Sequence, residues 1–243
     1  MHDVPTAPPA GPPAEVPAEL ITAEVVAPAP LALEPVGQDL FSVVGVLLRS
    51  PASVVHAMRE RRDILWKLGI VTFLSMVVTG VVMAAFSGGL QLLWVPLKLS
   101  LGFFVSALIC LPSLYIFTSL SGGRQSLRET WGALLMGITL MGILMVAFAP
   151  VSWLFSQATS SAAFMGSLHV CFFFVASYFG IGLIRRSLAM GAGGATPRGT
   201  AIWSLLFLLV ALQMSTTLRP LIGPDDGLLF HPKQFFLVHW ITG

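Results

Sequence analysis

The chain has 243 residues, of which 56% are apolar and only 10% are charged. A soluble domain typically carries about 25% charged residues, and a mean hydropathy of +0.86 lies far above the soluble range. These values exclude an ordinary soluble domain and indicate a polytopic, all-α membrane protein surrounded by lipid.

The first segment, residues 1–36, is rich in Pro and Ala, and its charged residues are acidic: Asp3, Glu15, Glu19, Glu24 and Glu34. Because prolines remove backbone donors, we expect a disordered acidic tail. It has the features of a solvated spacer or of a docking tail for a cytoplasmic protein partner. It lacks the basic start and apolar core of a signal peptide.

Residues 37–63 predict a juxtamembrane segment. The apolar run Leu40 to Leu48 is too short to cross a bilayer, so we expect it at the interface or against the bundle. Ser50 and Pro51 predict the N-cap and first residue of a short helix. That helix ends in a basic cluster, Arg59, Arg61 and Arg62, which marks the cytoplasmic side or binds lipid headgroups.

Residues 64–217 predict a bundle of five membrane spans. The spans are Ile64–Phe86, Leu101–Leu120, Trp131–Ala149, Ala163–Ile184 and Ala201–Thr217. We expect residues 91–100 to form a separate interfacial segment, residues 121–130 to form a turn, and Pro112 to kink the second span. Pro150 is expected to end the third span, which places residues 151–162 in an outer loop.

The distribution of positive charge sets the predicted orientation. Ten of the thirteen Lys and Arg residues fall on one side of this map, including Arg124, Arg128, Arg185, Arg186 and Arg198. By the positive-inside rule that side is cytoplasmic. The N-terminus is then cytoplasmic, and residues 218–243 form an extracytoplasmic tail that is interfacial or re-entrant. Ten Arg against three Lys, with no Asn, suggest a bacterial protein of the inner membrane.

Few polar residues fall inside the predicted spans. His169 is a candidate for proton or ion transfer, and the alternative is a neutral imidazole bonded to a carbonyl or hydroxyl. Cys110 and Cys171 are expected to be small buried hydrophobes rather than a disulfide. Small residues recur four apart at Gly102 and Ser106, Ala133 and Gly137, and Ala176 and Gly180, which predicts close helix packing or a homodimer face.

The sequence contains no recognisable catalytic or nucleotide-binding motif. In the C-terminal tail, Asp225, Asp226, His231 and His239 could bind a metal, but their spacing is more typical of a solvated loop. We therefore predict no catalytic, cofactor or metal site. Nucleic acid is not an expected partner, because the basic residues follow the membrane edges.

Two short motifs resemble the Yip-type five-span membrane family, including its bacterial branch. They are Leu47-Leu48-Arg49-Ser50-Pro51 before the first span and the glycine turn from Ser121 to Arg128. The resemblance covers about residues 39–217. The segment from Leu218 to Gly223 is also similar to one found in small bacterial membrane proteins. Eukaryotic members of the family bind small GTPases and shape membranes, so the resemblance implies a non-catalytic scaffold or adaptor.

Three functions remain open from the sequence. The first is a non-enzymatic membrane scaffold or adaptor that acts by helix packing and partner binding. The second is a small channel or transporter subunit that uses His169. The third is an accessory subunit of a bacterial envelope complex. A polar path through the bundle would favour the second, whereas a close-packed interior would favour the other two.

Overall fold

The computed structural model describes residues 33–87, 89–121, 125–191 and 199–217, and from Glu34 onward these belong to one compact unit. All regular structure in these ranges is helical, as the sequence predicts. The helices are α1 (Leu40–Arg49), α2 (Pro51–Glu60), α3 (Asp63–Ser87), α4 (Gln91–Leu120), α5 (Leu127–Ala158), α6 (Ala162–Gly191) and α7 (Thr200–Thr217).

Helices α3 to α6 are each long and apolar enough to cross a membrane. Apolar residues surround them on all sides, which is typical of helices embedded in lipid. Large apolar side chains such as Leu108 and Phe179 point away from the bundle and would be solvated by acyl chains. Helix α7 has 18 residues and is about 27 Å long, slightly less than a typical hydrocarbon core.

Helix α5 is the centre of the bundle, with α3 and α6 packed against it. Helix α4 packs against α3, and α7 packs against α4. The polar contacts between helices are few and specific. The hydroxyl groups of Thr72 on α3 and Thr139 on α5 lie 2.8 Å apart, and the Trp203 indole of α7 donates to the Cys110 carbonyl of α4 at 2.9 Å.

The close packing predicted from the small-residue pairs is confirmed between α5 and α6. A Cβ atom on Gly137 would lie 2.8 Å from the carbonyl oxygen of Gly180, and one on Gly180 would lie 2.7 Å from that of Gly137. The two backbones therefore meet directly. Ala133 and Ala176 are buried in the same core, and Ser106 is buried on α4.

The predicted break before the second span is wrong. Residues 91–100, expected as a separate interfacial segment, form the first third of the continuous helix α4, and Pro96 lies inside it. A proline so near the start removes only the bond to the carbonyl of Leu92. Helices α3 and α4 meet closely at this proline because Gly80 has no side chain: a Cβ atom there would lie 2.5 Å from the Cα atom of Pro96.

The predicted end of the third span is also wrong. Helix α5 continues through Pro150 to Ala158, so most of the expected outer loop at residues 151–162 is helical. In a membrane, the loss of one backbone hydrogen bond at a proline costs less free energy than ending the helix, because an ended helix leaves several backbone groups without hydrogen-bond partners. Helix α6 likewise extends beyond Ile184, so Arg185 and Arg186 lie within the helix rather than after it.

The expected turn at residues 121–130 is shorter, since α5 begins at Leu127. The Ser126 side chain accepts from the backbone N–H of Glu129, and the Glu129 carboxylate accepts from that of Ser126, which forms a capping box. Pro51 opens α2 as predicted, although the Ser50 hydroxyl bonds to the Ser53 hydroxyl instead of the backbone.

Both cysteines are free, but Cys171 is exposed on the bundle surface rather than buried.

Candidate functional site at the basic end of the bundle

The two ends of the bundle differ in charge. Helices α3 and α5 begin and α6 ends at the end that we call the basic end, where the Gln125 side chain donates to the Leu188 carbonyl. The basic residues of this end are Arg49, Arg59, Arg61, Arg62, Lys67, Arg128, Arg185 and Arg186. Lys98 lies instead in the half of α4 that packs against the end of α3. The described residues thus reproduce the charge asymmetry of the sequence.

Helix α2 lies across the basic end and is attached to the bundle by charged side chains. The Arg59 Nε atom lies 3.0 Å from the Glu129 carboxylate on α5, and Arg128 of α5 donates to the Met58 carbonyl at 3.0 Å. Each of the two helices thus contributes one arginine that contacts the other helix. These side chains are half-exposed, so the Arg59–Glu129 pair stabilises the arrangement by no more than about 1 kcal/mol.

A second set of contacts fixes the junction between α2 and α3. The Arg61 guanidinium donates to both carboxylate oxygens of Asp63, at 2.7 and 3.2 Å, and Lys67 donates to the same carboxylate at 2.6 Å. Arg61 also donates to the Val36 carbonyl at 2.9 Å. The bidentate geometry and the shared carboxylate hold the direction in which the chain enters α3.

Residues 34–37 continue this attachment toward the N-terminus. The Glu34 N–H donates to the Ser53 hydroxyl and the Gly37 N–H to the Ser42 hydroxyl, both at 2.9 Å. This part of the predicted tail is therefore bound to α1 and α2. Residues 1–32 lie outside the described ranges, and their disorder stays a prediction.

Helix α1 is the apolar half of the same layer. Val43, Val46 and Leu47 are buried in the core shared with α3 and α5, whereas Phe41 is 90% exposed. The predicted position of the apolar run against the bundle is confirmed. Together, α1 and α2 form a folded layer over the basic end, and we call this layer the platform.

A cavity of about 400 Å³ lies between the platform and the ends of α5 and α6. Val55 and Met58 of α2 form one wall, and Gly132 and Ala133 of α5 form another. The Met58 side chain packs directly on the backbone at Gly132, where a Cβ atom would lie 2.9 Å from the Met58 sulfur. The size is at the lower end of the range for ligand pockets, and the lining mixes apolar and charged groups.

Gln125 gives this cavity a defined polar group. Its side-chain nitrogen donates to the Leu188 carbonyl of α6, which joins the start of α5 to the end of α6. Its side-chain oxygen is buried and has no hydrogen-bond partner among the described residues. A buried acceptor of this kind favours a ligand or partner that supplies a donor.

The interior of the bundle contrasts with this open end. His169, predicted to be either a transfer group or a bonded neutral imidazole, has two partners at 2.8 Å: the Met165 carbonyl and the Ser152 hydroxyl of α5. Because a carbonyl only accepts, Nδ1 carries the proton and Nε2 accepts from Ser152. The bonded geometry of the second interpretation is confirmed.

Several predicted features lie outside the described residues. These are Asp225, Asp226, His231 and His239 in the C-terminal tail, together with Arg124, Arg198 and the glycines of the turn at 122–123. Within the ranges that the structure describes, no three His, Cys, Asp or Glu side chains are grouped so that they could hold a metal ion.

Comparison of the chain with protein-family models, curated proteins and solved structures finds no match. Neither Gln125 nor the Arg59–Glu129 pair follows from a local sequence pattern, although the spacing of Ser126 and Glu129 is a capping-box signal that marks the start of α5.

Proposed function

We propose that this protein is a non-enzymatic membrane scaffold whose platform, α1 and α2 at the basic end, presents a binding surface to a cytoplasmic protein partner. The main support is the contrast between the two parts of the unit. Buried apolar side chains and a few charged contacts hold the platform over an open cavity, whereas the bundle below it is closely packed.

The interior packing favours a scaffold over a channel. The α5–α6 contact at Gly137 and Gly180 leaves no room for even one methyl group. The Thr72–Thr139 contact and the His169–Ser152 bond pair polar groups with each other instead of exposing them to a water-filled path. A channel would need polar groups that face an aqueous pore.

In this proposal α3 to α7 form five spans, with the N-terminus in the cytoplasm and the C-terminus outside. Helix α7 is short for a span, but it packs along α4 through Trp203, and a short span is tolerated by local thinning of the bilayer. The clustering of arginine at the basic end supports a cytoplasmic position for that end. We further propose the inner membrane of a bacterium as its location.

Residues 1–36 would extend the binding surface, because an acidic segment that precedes basic helices in the chain can engage a partner of mixed charge. An accessory role in an envelope complex is a related alternative, in which residues 218–243 contact the partner. The resemblance to the Yip-type family is compatible with either role and stays a prediction.

Photo-crosslinking from two positions on α5 tests the scaffold proposal. Leu127 lies at the basic end and Leu154 near the opposite end, and their side chains are 52% and 63% exposed. With a photoreactive amino acid at each position in living cells, we expect a discrete protein adduct from Leu127 and only lipid adducts from Leu154.

A charge reversal supplies the control. Arg59→Glu should reduce the yield of the Leu127 adduct, whereas Arg59→Lys, which keeps a positive charge opposite Glu129, should retain most of it. Ion or proton flux through proteoliposomes that exceeds that of empty vesicles, with no protein adduct at Leu127, would contradict the proposal and favour the transporter alternative.

A further inference from the structure

A second concave surface lies on the side of the bundle, apart from the cavity beneath α2. This groove has a volume of about 670 Å³ and runs along α6 between the α1–α2 junction and α7. Its walls are largely apolar and include Leu48, Phe174, Phe179 and Leu208. The volume falls within the range of small-molecule sites, and the apolar walls suit an acyl chain.

Two arginines give the groove a charged end. Arg185 and Arg186 of α6 both line it and are exposed. Arg59, Arg61 and Lys67 all pair with a carboxylate, whereas Arg185 and Arg186 have no ion pair or hydrogen bond with any residue that the structure describes. Two adjacent guanidinium groups beside an apolar groove are complementary to an anionic headgroup with its acyl chain.

A buried hydroxyl supplies an independent indication of a ligand. Ser177 lines the same groove, is 1% exposed, and its Oγ atom has no hydrogen-bond partner in the part of the chain that the structure describes. Most other buried hydroxyls of the bundle, such as those of Ser100 and Ser106, donate to a carbonyl of their own helix. An unpaired hydroxyl in an apolar wall is costly unless a ligand supplies an acceptor, and an ester carbonyl is such an acceptor.

We propose that this groove binds one anionic phospholipid from the leaflet at the basic end. Arg185 and Arg186 bind its phosphate, the apolar walls hold one acyl chain, and Ser177 donates to an ester carbonyl. The site joins α1, α6 and α7 through the lipid, which makes that lipid part of the folded unit. The inference requires membrane insertion but not the scaffold role, so the two can fail separately.

Native mass spectrometry of the full chain in detergent tests this site. Dioleoyl phosphatidylglycerol and dioleoyl phosphatidylcholine, which share their acyl chains, are titrated separately. We expect a single tight adduct with phosphatidylglycerol and weaker binding of phosphatidylcholine. The double variant Arg185→Gln with Arg186→Gln should bind phosphatidylglycerol about 10- to 30-fold more weakly, since each arginine near an anionic surface contributes several-fold.

Three further variants test whether the loss of binding is specific to the groove. Arg62→Gln removes an exposed arginine that lies outside the groove and should leave binding unchanged. Arg185→Lys with Arg186→Lys preserves the charge and should retain most of the affinity, even if the glutamine variant folds poorly. Ser177→Ala should weaken binding a few-fold.

Equal binding of the two lipids, or equal losses in the Arg62 and Arg185/Arg186 variants, would overturn the proposal. Displacement of the lipid by soluble glycerol phosphate would also overturn it, because the groove would then be a site for a free phosphate compound. Resistance to that competitor, together with the loss in the glutamine variant, supports a lipid site.

Discussion

The contact between α5 and α6 allows a quantitative prediction for Gly180→Ala. The new methyl carbon would lie 2.7 Å from the Gly137 carbonyl oxygen, whereas an ordinary contact begins at 3.4 Å. The methyl group would also meet the Met141 side chain, which can change rotamer, but the Gly137 carbonyl is backbone and cannot rotate away, so the helices must separate by about 0.7 Å. Overpacking of this kind costs about 1–3 kcal/mol. Unfolding of the purified protein by SDS in mixed micelles, followed by circular dichroism, would measure the loss.

Gly182→Ala is the matched control, because it lies two residues away on the same helix and its Cβ atom would meet no atom within 4 Å. Both variants gain similar helix propensity, so the difference between them isolates the steric cost. Gly137→Ala combined with Gly180→Ala should cost less than the sum of the single changes, since one separation relieves both clashes. Equal stability of the Gly180 and Gly182 variants would refute the close approach.

Three other changes test the remaining contacts by the same unfolding measurement. His169→Phe should cost about 1 kcal/mol by leaving the Ser152 hydroxyl without its partner, and adding Ser152→Ala should recover much of that loss; no recovery would contradict the pairing. Trp203→Phe should cost about 0.5–1.5 kcal/mol through the lost N–H donor, and an unchanged stability would contradict that bond. A double-mutant cycle on Arg59 and Glu129 should give a coupling of no more than about 1 kcal/mol that falls as salt is raised, whereas a salt-independent coupling would argue against an exposed pair.

The sequence predicted the helical class and the membrane character because apolar runs around basic turns are a strong local signal. Helix boundaries at proline were predicted less well. Pro150 predicts the end of the third span, and residues 91–100, which contain Pro96, predict a separate interfacial segment, yet α4 and α5 continue through both prolines. The rule that proline ends a helix is calibrated on chains in water, where a broken helix can bond to solvent. In lipid that alternative is absent, so the environment decides where the helix ends.

The candidate site was harder to predict, because it depends on residues that are distant in the chain. Gln125 reaches a carbonyl 63 positions away, and Arg128 reaches one 70 positions away. Neither contact leaves a periodic pattern in the sequence. His169 was identified correctly as an unusual residue, but only the position of α5 shows that Ser152 is its partner. Local patterns thus indicate which residues are unusual, whereas packing determines their partners.

The most direct test is to determine on which side of the membrane each end of α5 and α6 lies. Single cysteines at Arg62 and Ser160 mark the basic end and the short connection between α5 and α6, in a background with Cys110→Ala and Cys171→Ala. If the basic end is cytoplasmic, a membrane-impermeant maleimide labels Ser160→Cys in intact cells and labels Arg62→Cys only after the membrane is opened. Labelling of both positions from the outside would contradict it.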